Sequence, residues 1–312
     1  MQNYITIDGG TTNTRVSLVC DGAVRKNLKI PFGARVGMDG TESLRGAIRD
    51  AIGALCREFG LAERDLHRIL ASGMITSEYG LCCLPHVMAP AGISELHATM
   101  HETVLSDISA VPFVFIRGVR ILGSSVADTD MMRGEESELI GLMSESDGEC
   151  LYILPGSHSK LVETDKEGRI TRFASTLTGE MIASLSSGTI LKDAVDLSVS
   201  EYDDDALLAG CRYALEKGLS EALFKVRVYK NFFGASKVEA YSFFLGAVLS
   251  SEIGAILKSP LRRIVIGGRA QIKNATAALL RALSDKEIVT LSAEAVDLSS
   301  TLGVIRIYEY EG

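Results

Sequence analysis

One stretch decides the fold: Tyr4-Ile-Thr-Ile-Asp8-Gly9-Gly10-Thr11-Thr12-Asn13-Thr14-Arg15-Val16-Ser17-Leu18-Val19. Two apolar runs of β-type residues flank a short polar bend, which predicts a β-hairpin. Asp8 stands where the first strand ends, so its carboxylate can point at whatever the bend holds. Glycine lets the backbone approach a ligand closely, and amides and hydroxyls suit phosphate oxygens. The bend therefore predicts a phosphate site built from Gly9, Gly10, Thr11, Thr12 and Asn13. An ordinary glycine-rich hairpin is the competing interpretation.

The composition excludes several classes of protein. The chain has 312 residues, 46% of them hydrophobic, and a formal net charge of -8, so it can form two domains and has no electrostatic footprint for nucleic acid. Its six cysteines form no C-x-x-C pair and are typical of reduced thiols in a cytoplasmic protein. We expect neither a signal peptide nor a membrane-spanning helix. The oligomeric state stays open, and a homodimer is compatible with the sequence.

Hydrophobic periodicity predicts an α/β protein in which a similar plan occurs twice. Strands and helices alternate after an antiparallel start, and a strand, a glycine-containing bend and a returning strand recur near residue 153. The pattern also predicts helices over 93–105 and 130–143. We expect two lobes, residues 1–130 and 131–312, with the final helix returning to the hinge between them.

The second bend follows a buried strand as Leu154-Pro155-Gly156-Ser157-His158-Ser159-Lys160. Its glycine amides, serine hydroxyls and lysine can bind a phosphate. It is not a P-loop, because the glycine spacing differs and a strand follows. A polar hairpin turn with a solvated lysine would explain it alone, but its pairing with the first bend favours the phosphate interpretation.

A third motif, Gly267-Gly268-Arg269, joins a buried strand to a helix. Close backbone approach there would let an adenine lie against the loop. The chain contains no G-x-G-x-x-G, so a Rossmann site is excluded. A plain strand–helix turn is the alternative.

The fourth motif is Asp130-Met-Met-Arg133-Gly134-Glu135-Glu136-Ser137. We expect Asp130 to begin a helix as its N-cap and to act there as a general base, although a cap alone is also common. Gly134, Ser137 and Gly141 give that helix a face of small residues, which lets two helices cross closely, as at a hinge.

These motifs resemble the 2-dehydro-3-deoxygalactonokinase family of the sugar kinase, heat-shock protein and actin superfamily. The matching pieces are IDGGTTNTR, SGMITS, the Pro90-Ala91-Gly92 turn, DMMRGEE, ILPGSHSK, TLTGE and the late IGG. The resemblance implies a two-lobed ribonuclease-H-like fold with the active site in the inter-lobe cleft. It also implies an ATP- and Mg²⁺-dependent kinase that phosphorylates the C6 hydroxyl of 2-dehydro-3-deoxy-D-galactonate in galactonate catabolism.

The resemblance also implies roles for particular residues. Asp8 would orient the metal, and Arg15 and Arg133 are candidates for the substrate carboxylate or the transferring phosphate. The two bends would hold the nucleotide phosphates, and the adenosine would lie between Gly267, Gly268 and Arg269 on one side and Thr178, Gly179 and Glu180 on the other. The residues expected to line the sugar-acid pocket are Ser72, Gly73, Met74, Arg133 and Glu135.

Two other functions stay open at this point. One is a kinase for another small substrate, such as 2-keto-3-deoxygluconate or an amino sugar. The other is a non-catalytic sugar-sensing protein on the same fold. The identity of the general base, Asp130 or Glu135, is also left open.

Overall fold

The computed structural model describes residues 2–34, 41–144, 147–268 and 270–311. Its strands are β1 (Asn3–Gly9), β2 (Thr14–Cys20), β3 (Ala23–Ile30), β4 (Arg68–Gly73), β5 (Val87–Met88), β6 (His101–Thr103), β7 (Phe113–Phe115), β8 (Val119–Ile121), β9 (Asp130–Met132), β10 (Cys150–Leu154), β11 (Ser159–Thr164), β12 (Ile170–Thr176), β13 (Arg263–Ile266) and β14 (Glu287–Thr290). Its α-helices are α1 (Glu42–Glu58), α2 (Ile93–Ala98), α3 (Glu135–Leu142), α4 (Thr178–Gly188), α5 (Asp204–Lys217), α6 (Leu219–Phe233), α7 (Lys237–Lys258), α8 (Ala270–Leu283) and α9 (Ala293–Tyr308).

Contacts divide the chain into two compact units. The first unit comprises Met1–Gly148, Asp165–Arg172 and Glu294–Gly312, and the second comprises Glu149–Thr164 and Phe173–Ala293. The lobes expected from the sequence, residues 1–130 and 131–312, stay a prediction, as does a cleft between them. The last helix, α9, belongs almost entirely to the first unit.

The first unit contains a six-stranded sheet in the order β3-β2-β1-β4-β7-β6. The strands β1, β2 and β3 form an antiparallel meander, whereas β4 and β7 run parallel to β1. One face of this sheet packs on α1 through a core that includes Ile7, Ile48, Ile52 and Phe115. Since β1, β4 and β7 are parallel, their carboxyl ends meet at one edge of the sheet.

Helix α9 packs against β1 and α3 within the first unit. Thr6 on β1 donates a hydrogen bond to Thr301 on α9, with 3.3 Å between the hydroxyl oxygens. Gly303 of α9 lies against the backbone of Ser137, and Gly141 of α3 lies against that of Ser299, with no room for a Cβ at either glycine. The small-residue face predicted on α3 is therefore a close helix crossing, and both partners lie inside one unit.

The second unit contains a five-stranded sheet in the order β12-β11-β10-β13-β14. Here β10 pairs antiparallel with β11 and parallel with β13, and β13 pairs parallel with β14. The core between this sheet and the helices includes Ile153, Phe244, Leu249 and Ile266.

Helix α7 is the core helix of the second unit. By length and composition alone it could cross a membrane, but 78% of its most apolar window is buried inside the protein. This burial is typical of a core helix, because a helix with apolar residues on all sides is stable in water only when other elements bury it.

Two helices predicted from periodicity begin or end elsewhere. The prediction over 130–143 is wrong at its start, because Asp130–Met132 pairs with β8 as strand β9 and the helix begins at Glu135. Gly134 precedes that helix with a φ of 111°, a conformation outside the helical region. The helix predicted over 93–105 ends at Ala98, and His101–Thr103 pairs with β7 instead.

Candidate functional site

The first bend has the predicted hairpin geometry. Gly9 and Thr14 form the last pair of β1 and β2, and the amide of Gly10 donates to the carbonyl of Asn13 at 2.9 Å. Asp8 stands directly opposite Arg15 on β2 and beside Ser72 on β4. The hairpin therefore holds a carboxylate and a guanidinium side by side at the carboxyl edge of the sheet.

The carboxyl group of Asp8 lies in an unusual electrostatic setting. Burial raises its pKa above the ordinary value, and the charge of Glu135 raises it further. Arg15 and a hydrogen bond with Ser300 of α9 act in the opposite direction. Because Asp8 is partly desolvated and lies beside a single arginine, a cation brought by a ligand would stabilise its ionised form.

Three glycines bring three of the sequence motifs together around Asp8. Gly73 has a φ of 83°, and a Cβ on it would lie 2.5 Å from the carbonyl oxygen of Gly9. A Cβ on Gly134 would lie 3.1 Å from the Cα of Gly73. The first bend, the SGMITS turn and the RGEE turn thus form one cluster. Glycine is needed here because any side chain would separate the segments.

Ser72 and Met74, two further residues of the predicted sugar-acid pocket, lie on either side of Gly73. Ser72 is only 1% exposed, and its hydroxyl has no hydrogen-bond partner in the described part of the chain. Met74 begins a short 3-10 turn, Met74–Thr76, and is half-buried. Both residues therefore lie at the cluster, and their place in a sugar-acid pocket stays a prediction.

Three glutamates at the start of α3 make this cluster acidic. The Oε2 atom of Glu135 accepts from the amide of Arg133 at 2.9 Å, and Glu136 accepts from the amide of Gly134 at 2.8 and 2.9 Å. Burial, followed by the charge of Glu135, raises the pKa of Glu136 to about 8. Burial raises the pKa of Glu138 to about 8 as well, with further contributions from Glu135 and Asp8 and an opposing one from Arg15.

Glu138 was not singled out from the sequence, although one signal pointed to it. It stands three residues after Glu135 in a helix, a spacing that places two side chains on one face. The spacing alone does not show that this face of the helix lies near the first bend.

The two arginines proposed from the sequence are both engaged. The Nη1 atom of Arg15 donates to the carbonyl of Asp297 at 3.0 Å. Arg133 is half-buried and donates through Nη1 to the carbonyl and hydroxyl of Thr76, at 2.7 and 2.5 Å, and through Nη2 to the carbonyl of Leu84, at 3.1 Å. Its Nη2 also lies 3.3 Å from Nδ1 of His86. Four of the five N–H donors of Arg133 are thus used to tie neighbouring segments together.

Asp130 is not where the sequence interpretation placed it. It lies on β9, paired with Ile121, and its Oδ1 accepts from the amide of Met131 at 2.7 Å. The geometric reason for choosing it as general base, a position at a helix start, is therefore removed. Glu135 holds that position instead.

The second bend has its own cluster of three segments in the second unit. A Cβ on Gly268, whose φ is 79°, would lie 2.7 Å from the carbonyl oxygen of Pro155. A Cβ on Gly179 would collide with the carbonyl of Gly156 and lie 2.9 Å from the Cα of Ser157. The LPGSHSK bend, the TLTGE turn and the Gly-Gly turn, which ends β13 and includes Gly267, are therefore in contact. Arg269 lies outside the described residues.

Exposure divides the predicted phosphate ligands of this bend into two sets. Gly156, Ser157 and His158 are exposed, and Nε2 of His158 lies 3.0 Å from Oε1 of Glu180. Ser159 and Lys160 are buried at the start of β11. Lys160, 5% exposed, donates to the Ser175 hydroxyl at 2.6 Å. The exposed tip of the bend is thus the part that can meet a ligand.

A buried glutamate beneath the TLTGE turn is a further residue that the sequence reasoning missed. Glu252 of α7 is 2% exposed, and its Oε1 accepts from the hydroxyls of Thr176 and Thr178. Its Oε2 is buried without a hydrogen-bond partner in the described chain. No sequence signal marks it, because α7 is apolar and the contact joins residues more than 70 positions apart.

The donor set of the first unit fits a magnesium ion brought with phosphates. Among the described residues, no group of three or more His, Cys, Asp or Glu side chains is arranged to hold a metal ion. Mg²⁺ usually keeps several waters and is bound through one or two carboxylates plus substrate phosphates. Asp8, at the end of β1 beside the glycine bend, can supply such a carboxylate.

Comparisons with known proteins agree with one family. The model of the family described as 2-keto-3-deoxy-galactonokinase matches residues 8–299. The 2-dehydro-3-deoxygalactonokinase of Escherichia coli (strain K12) is 26% identical over 258 residues, which cover 81% of this chain and 80% of that protein. A relative from Rhizobium meliloti (strain 1021), named as a probable 2-dehydro-3-deoxygalactonokinase, is 28% identical over 202 residues, 61% of each chain.

A solved structure extends the similarity to the fold. A protein of Sinorhizobium meliloti, whose crystal structure carries the provisional name 2-dehydro-3-deoxygalactonokinase, superposes with a TM-score of 0.78 over 97% of both chains at 20% identity. The α/β, ribonuclease-H-like fold expected from the sequence is confirmed.

Proposed function

Because the chain belongs to the 2-keto-3-deoxy-galactonokinase family, we propose that it transfers the γ-phosphate of ATP to the C6 hydroxyl of 2-dehydro-3-deoxy-D-galactonate, a step of galactonate catabolism. The observation that carries the proposal is the cluster around Asp8, where the first bend, the SGMITS turn and the RGEE turn meet through Gly9, Gly73 and Gly134. A carboxylate at a glycine bend beside parallel strand ends suits phosphoryl transfer, in which positioning and charge neutralisation supply most of the catalysis.

The amides and hydroxyls of 10–13 hold nucleotide phosphates in this proposal, and Asp8 orients the metal and its waters. Magnesium, when bound, neutralises charge on the phosphates. Arg15, directly opposite Asp8, limits the electrostatic cost of the buried carboxylate, and in this proposal it contacts the transferring phosphate. Within the second unit, we propose that the exposed tip at 156–158 binds phosphate and that adenosine lies between the Gly267-Gly268 turn and Thr178, Gly179 and Glu180.

We assign the general base to Glu135 rather than to Asp130. The charge of Glu135 raises the pKa values of Asp8, Glu136 and Glu138. Glu135 is therefore the carboxylate that interacts electrostatically with all three of the others. Glu138, with a pKa of about 8, holds its proton at neutral pH and is poorly suited to accept another. Glu135 therefore accepts the proton of the sugar hydroxyl as the phosphate is transferred.

We further propose that the protein is cytoplasmic and uses only ATP and a sugar acid as partners, without nucleic acid or membrane. The net charge of -8 supports the absence of a nucleic-acid partner. A homodimer agrees with the sequence, and sedimentation would test it.

An ADP-release assay over a panel of sugar acids tests the proposed function. We expect turnover with 2-dehydro-3-deoxy-D-galactonate, strict dependence on Mg²⁺ and slower turnover of the gluconate epimer. Preference for 2-keto-3-deoxygluconate or an amino sugar would change the substrate. Nucleotide binding without turnover of any panel member would identify a sugar sensor instead.

Two matched variants test the base. Glu135→Gln should lower kcat by about 100-fold or more with little change in the KM for ATP, whereas Asp130→Asn should stay within a few-fold of wild type. The reverse result would return the role to Asp130.

A further inference from the structure

The carboxyl edge of the parallel strands in the first unit holds a third arginine, which the proposed mechanism does not use. Arg117 follows β7 two residues after Phe115, and the amide of Ile116 still donates to the carbonyl of Ala71 on β4 at 2.8 Å. Arg117 therefore stands at the same edge as Gly9 of β1 and Gly73 of β4. The other two arginines at this edge, Arg15 and Arg133, are engaged as described above.

The guanidinium of Arg117 has no such engagement. The side chain is half-buried, and its Nε lies buried without a hydrogen-bond partner. Within 2–34, 41–144, 147–268 and 270–311, no hydrogen bond or ion pair of this side chain is found. A buried donor without an acceptor costs free energy that a ligand with acceptor oxygens would recover.

Contacts connect Arg117 to the cluster around Asp8. Its charge lowers the pKa of the Cys82 thiol, which burial raises overall. The amide of Cys82 donates to the carbonyl of Ile75 at 3.3 Å, and a Cβ on Gly9 would lie 2.7 Å from the Cβ of Ile75. Arg117 thus acts electrostatically on a thiol whose backbone is hydrogen-bonded to Ile75, which lies against the first bend.

The charges around Arg117 favour the binding of an anion. A Cβ on Gly118 would lie 2.8 Å from Cδ2 of His86. The pKa of His86 is lowered to about 4, first by burial and then by the charges of Arg133 and Arg120. The imidazole is therefore neutral at physiological pH, and its surroundings already carry positive potential.

The spacing of the strands matches the proposed substrate. Since β1, β4 and β7 are neighbours, the ends of β1 and β7 lie two strand spacings apart, about 10 Å. A six-carbon acid in extended form has similar reach, with its carboxylate at one end and its C6 hydroxyl at the other. We propose that Arg117 binds the C1 carboxylate of the sugar acid and so selects acids over neutral sugars. This inference rests on the proposed function for the identity of the acid.

Kinetics with a charged substrate and its neutral counterpart test the role of Arg117. The variants are Arg117→Met, Arg117→Lys and, as control, Arg25→Met, which removes an exposed arginine of β3. For the acid, Arg117→Met should raise KM by about 100-fold with kcat changed only a few-fold, since a charge-assisted bidentate contact is lost. Arg117→Lys should restore part of the loss, and Arg25→Met should stay near wild type.

The C1 amide of the same sugar separates charge recognition from a structural role. Wild type should phosphorylate it poorly, and Arg117→Met should not lower that rate further, while the KM for ATP and the Tm stay unchanged. Equal losses on acid and amide, or an unchanged KM for the acid, would overturn the proposal.

Calorimetric titration of the sugar acid without ATP distinguishes this inference from the proposed function. If wild type turns over no panel member, the proposed function fails, and the titration still decides the role of Arg117. Binding to wild type that is lost in Arg117→Met supports carboxylate recognition. Equal binding to both proteins, or binding to neither, overturns it.

Discussion

The two units build their bends by the same construction. In the first unit, Asp8 pairs with Arg15 across the hairpin, and in the second, Leu154 pairs with Lys160 in the corresponding place. The second residue of each returning strand is thus basic. Only the first has a carboxylate opposite that residue.

Glycines occupy equivalent places in both units. Gly73 ends the neighbouring parallel strand β4 and Gly268 follows β13 by two residues, with φ values of 83° and 79°. Each makes room for a carbonyl of the hairpin, that of Gly9 or Pro155. Gly33 and Gly179 stand three residues after the third strand of each meander, and each lies against the next glycine carbonyl of the bend. The doubled plan inferred from the sequence is therefore also a doubled set of close backbone contacts.

The difference between the units suggests a division of labour. The backbone construction shared by the two bends suits phosphate oxygens, because backbone N–H groups in an open bend are sufficient to bind them. The side chains added to it differ, since the first unit has Asp8 and Glu135 whereas the second has the exposed His158 and Glu180. Acidic chemistry belongs to the first unit alone in the proposed mechanism.

The largest expected effect comes from making the first bend resemble the second. Asp8→Asn should reduce kcat by about 1000-fold and remove the response to Mg²⁺. The variant should also be more stable than wild type near pH 8, because burial opposes ionisation of Asp8. Coupled kinetics over a magnesium series measure the first effect, and urea unfolding measures the second.

Asp21→Asn provides the matched control, since Asp21 is an exposed residue of the next hairpin turn. It should keep normal activity. Substantial magnesium-dependent turnover in Asp8→Asn would contradict the role of Asp8.

The acidity of the first unit should appear in its dependence on pH. Glu136 and Glu138 have pKa values raised from 4.5 to about 8, so the folded protein holds protons that the unfolded chain has released. The free energy of unfolding should therefore fall as pH rises from about 4.5 to about 8, by at most about 1.4 kcal/mol per pH unit for each group. Above about pH 8 it should level off.

Glu138→Gln tests this dependence by removing one of the two groups. Its free energy of unfolding, followed by urea denaturation from pH 5 to 9, should fall less steeply than that of wild type. Parallel curves for the two proteins would show that Glu138 ionises normally.

Alanine at the two equivalent glycines tests whether the backbone constructions are equally tight. Gly73→Ala and Gly268→Ala should each lower the free energy of unfolding by about 2–4 kcal/mol, from the positive φ and the collision with a carbonyl. Gly22→Ala is the control, because Gly22 has a φ of 76° with nothing within 4 Å of its missing Cβ, and it should cost only about 1 kcal/mol.

Urea denaturation of the three alanine variants gives the comparison. A cost at Gly73 or Gly268 no larger than that at Gly22 would show that the hairpin can move away. Where the variants remain folded, Gly268→Ala should weaken ATP binding more than Gly73→Ala does.

The smallest expected effect concerns Glu252 beneath the TLTGE turn. Glu252→Ala removes the acceptor for two threonine hydroxyls and should raise the KM for ATP by about 10-fold with kcat nearly unchanged. Glu252→Gln keeps an acceptor oxygen and should remain near wild type. Ser250→Ala removes a hydroxyl bonded within α7 itself and should change neither KM nor kcat. An effect as large as that of Glu252→Ala would indicate general loosening of the helix.

Local patterns predicted the bends well and the tertiary contacts poorly. The hairpin at Asp8 could be identified because its glycines and strand alternation are adjacent in sequence. The start of α3 was misplaced because Asp130 has the chemistry of an N-cap, while pairing of β9 with β8 and the positive φ of Gly134 decide the outcome. Such pairing overrides local propensity.

Residues that are distant in sequence from the motifs show no local pattern that predicts their place at the candidate site. Arg117 follows a short buried strand, and nothing in its sequence neighbourhood reveals that its Nε has no hydrogen-bond partner among the described residues. Glu252 lies within a helix whose other buried residues are mostly apolar. The sequence thus predicts the segments of the candidate site better than the residues that support or complete them.

The packing of α9 sets an order in which the protein can be assembled during synthesis. Arg15 leaves the ribosome 282 residues before its partner Asp297, and Thr6 and Asp8 likewise precede their partners Thr301 and Ser300 on α9. The second unit, in contrast, needs nothing beyond residue 293. A nascent chain can therefore complete its second unit before its first, and the acidic cluster forms only after most of the chain has been made.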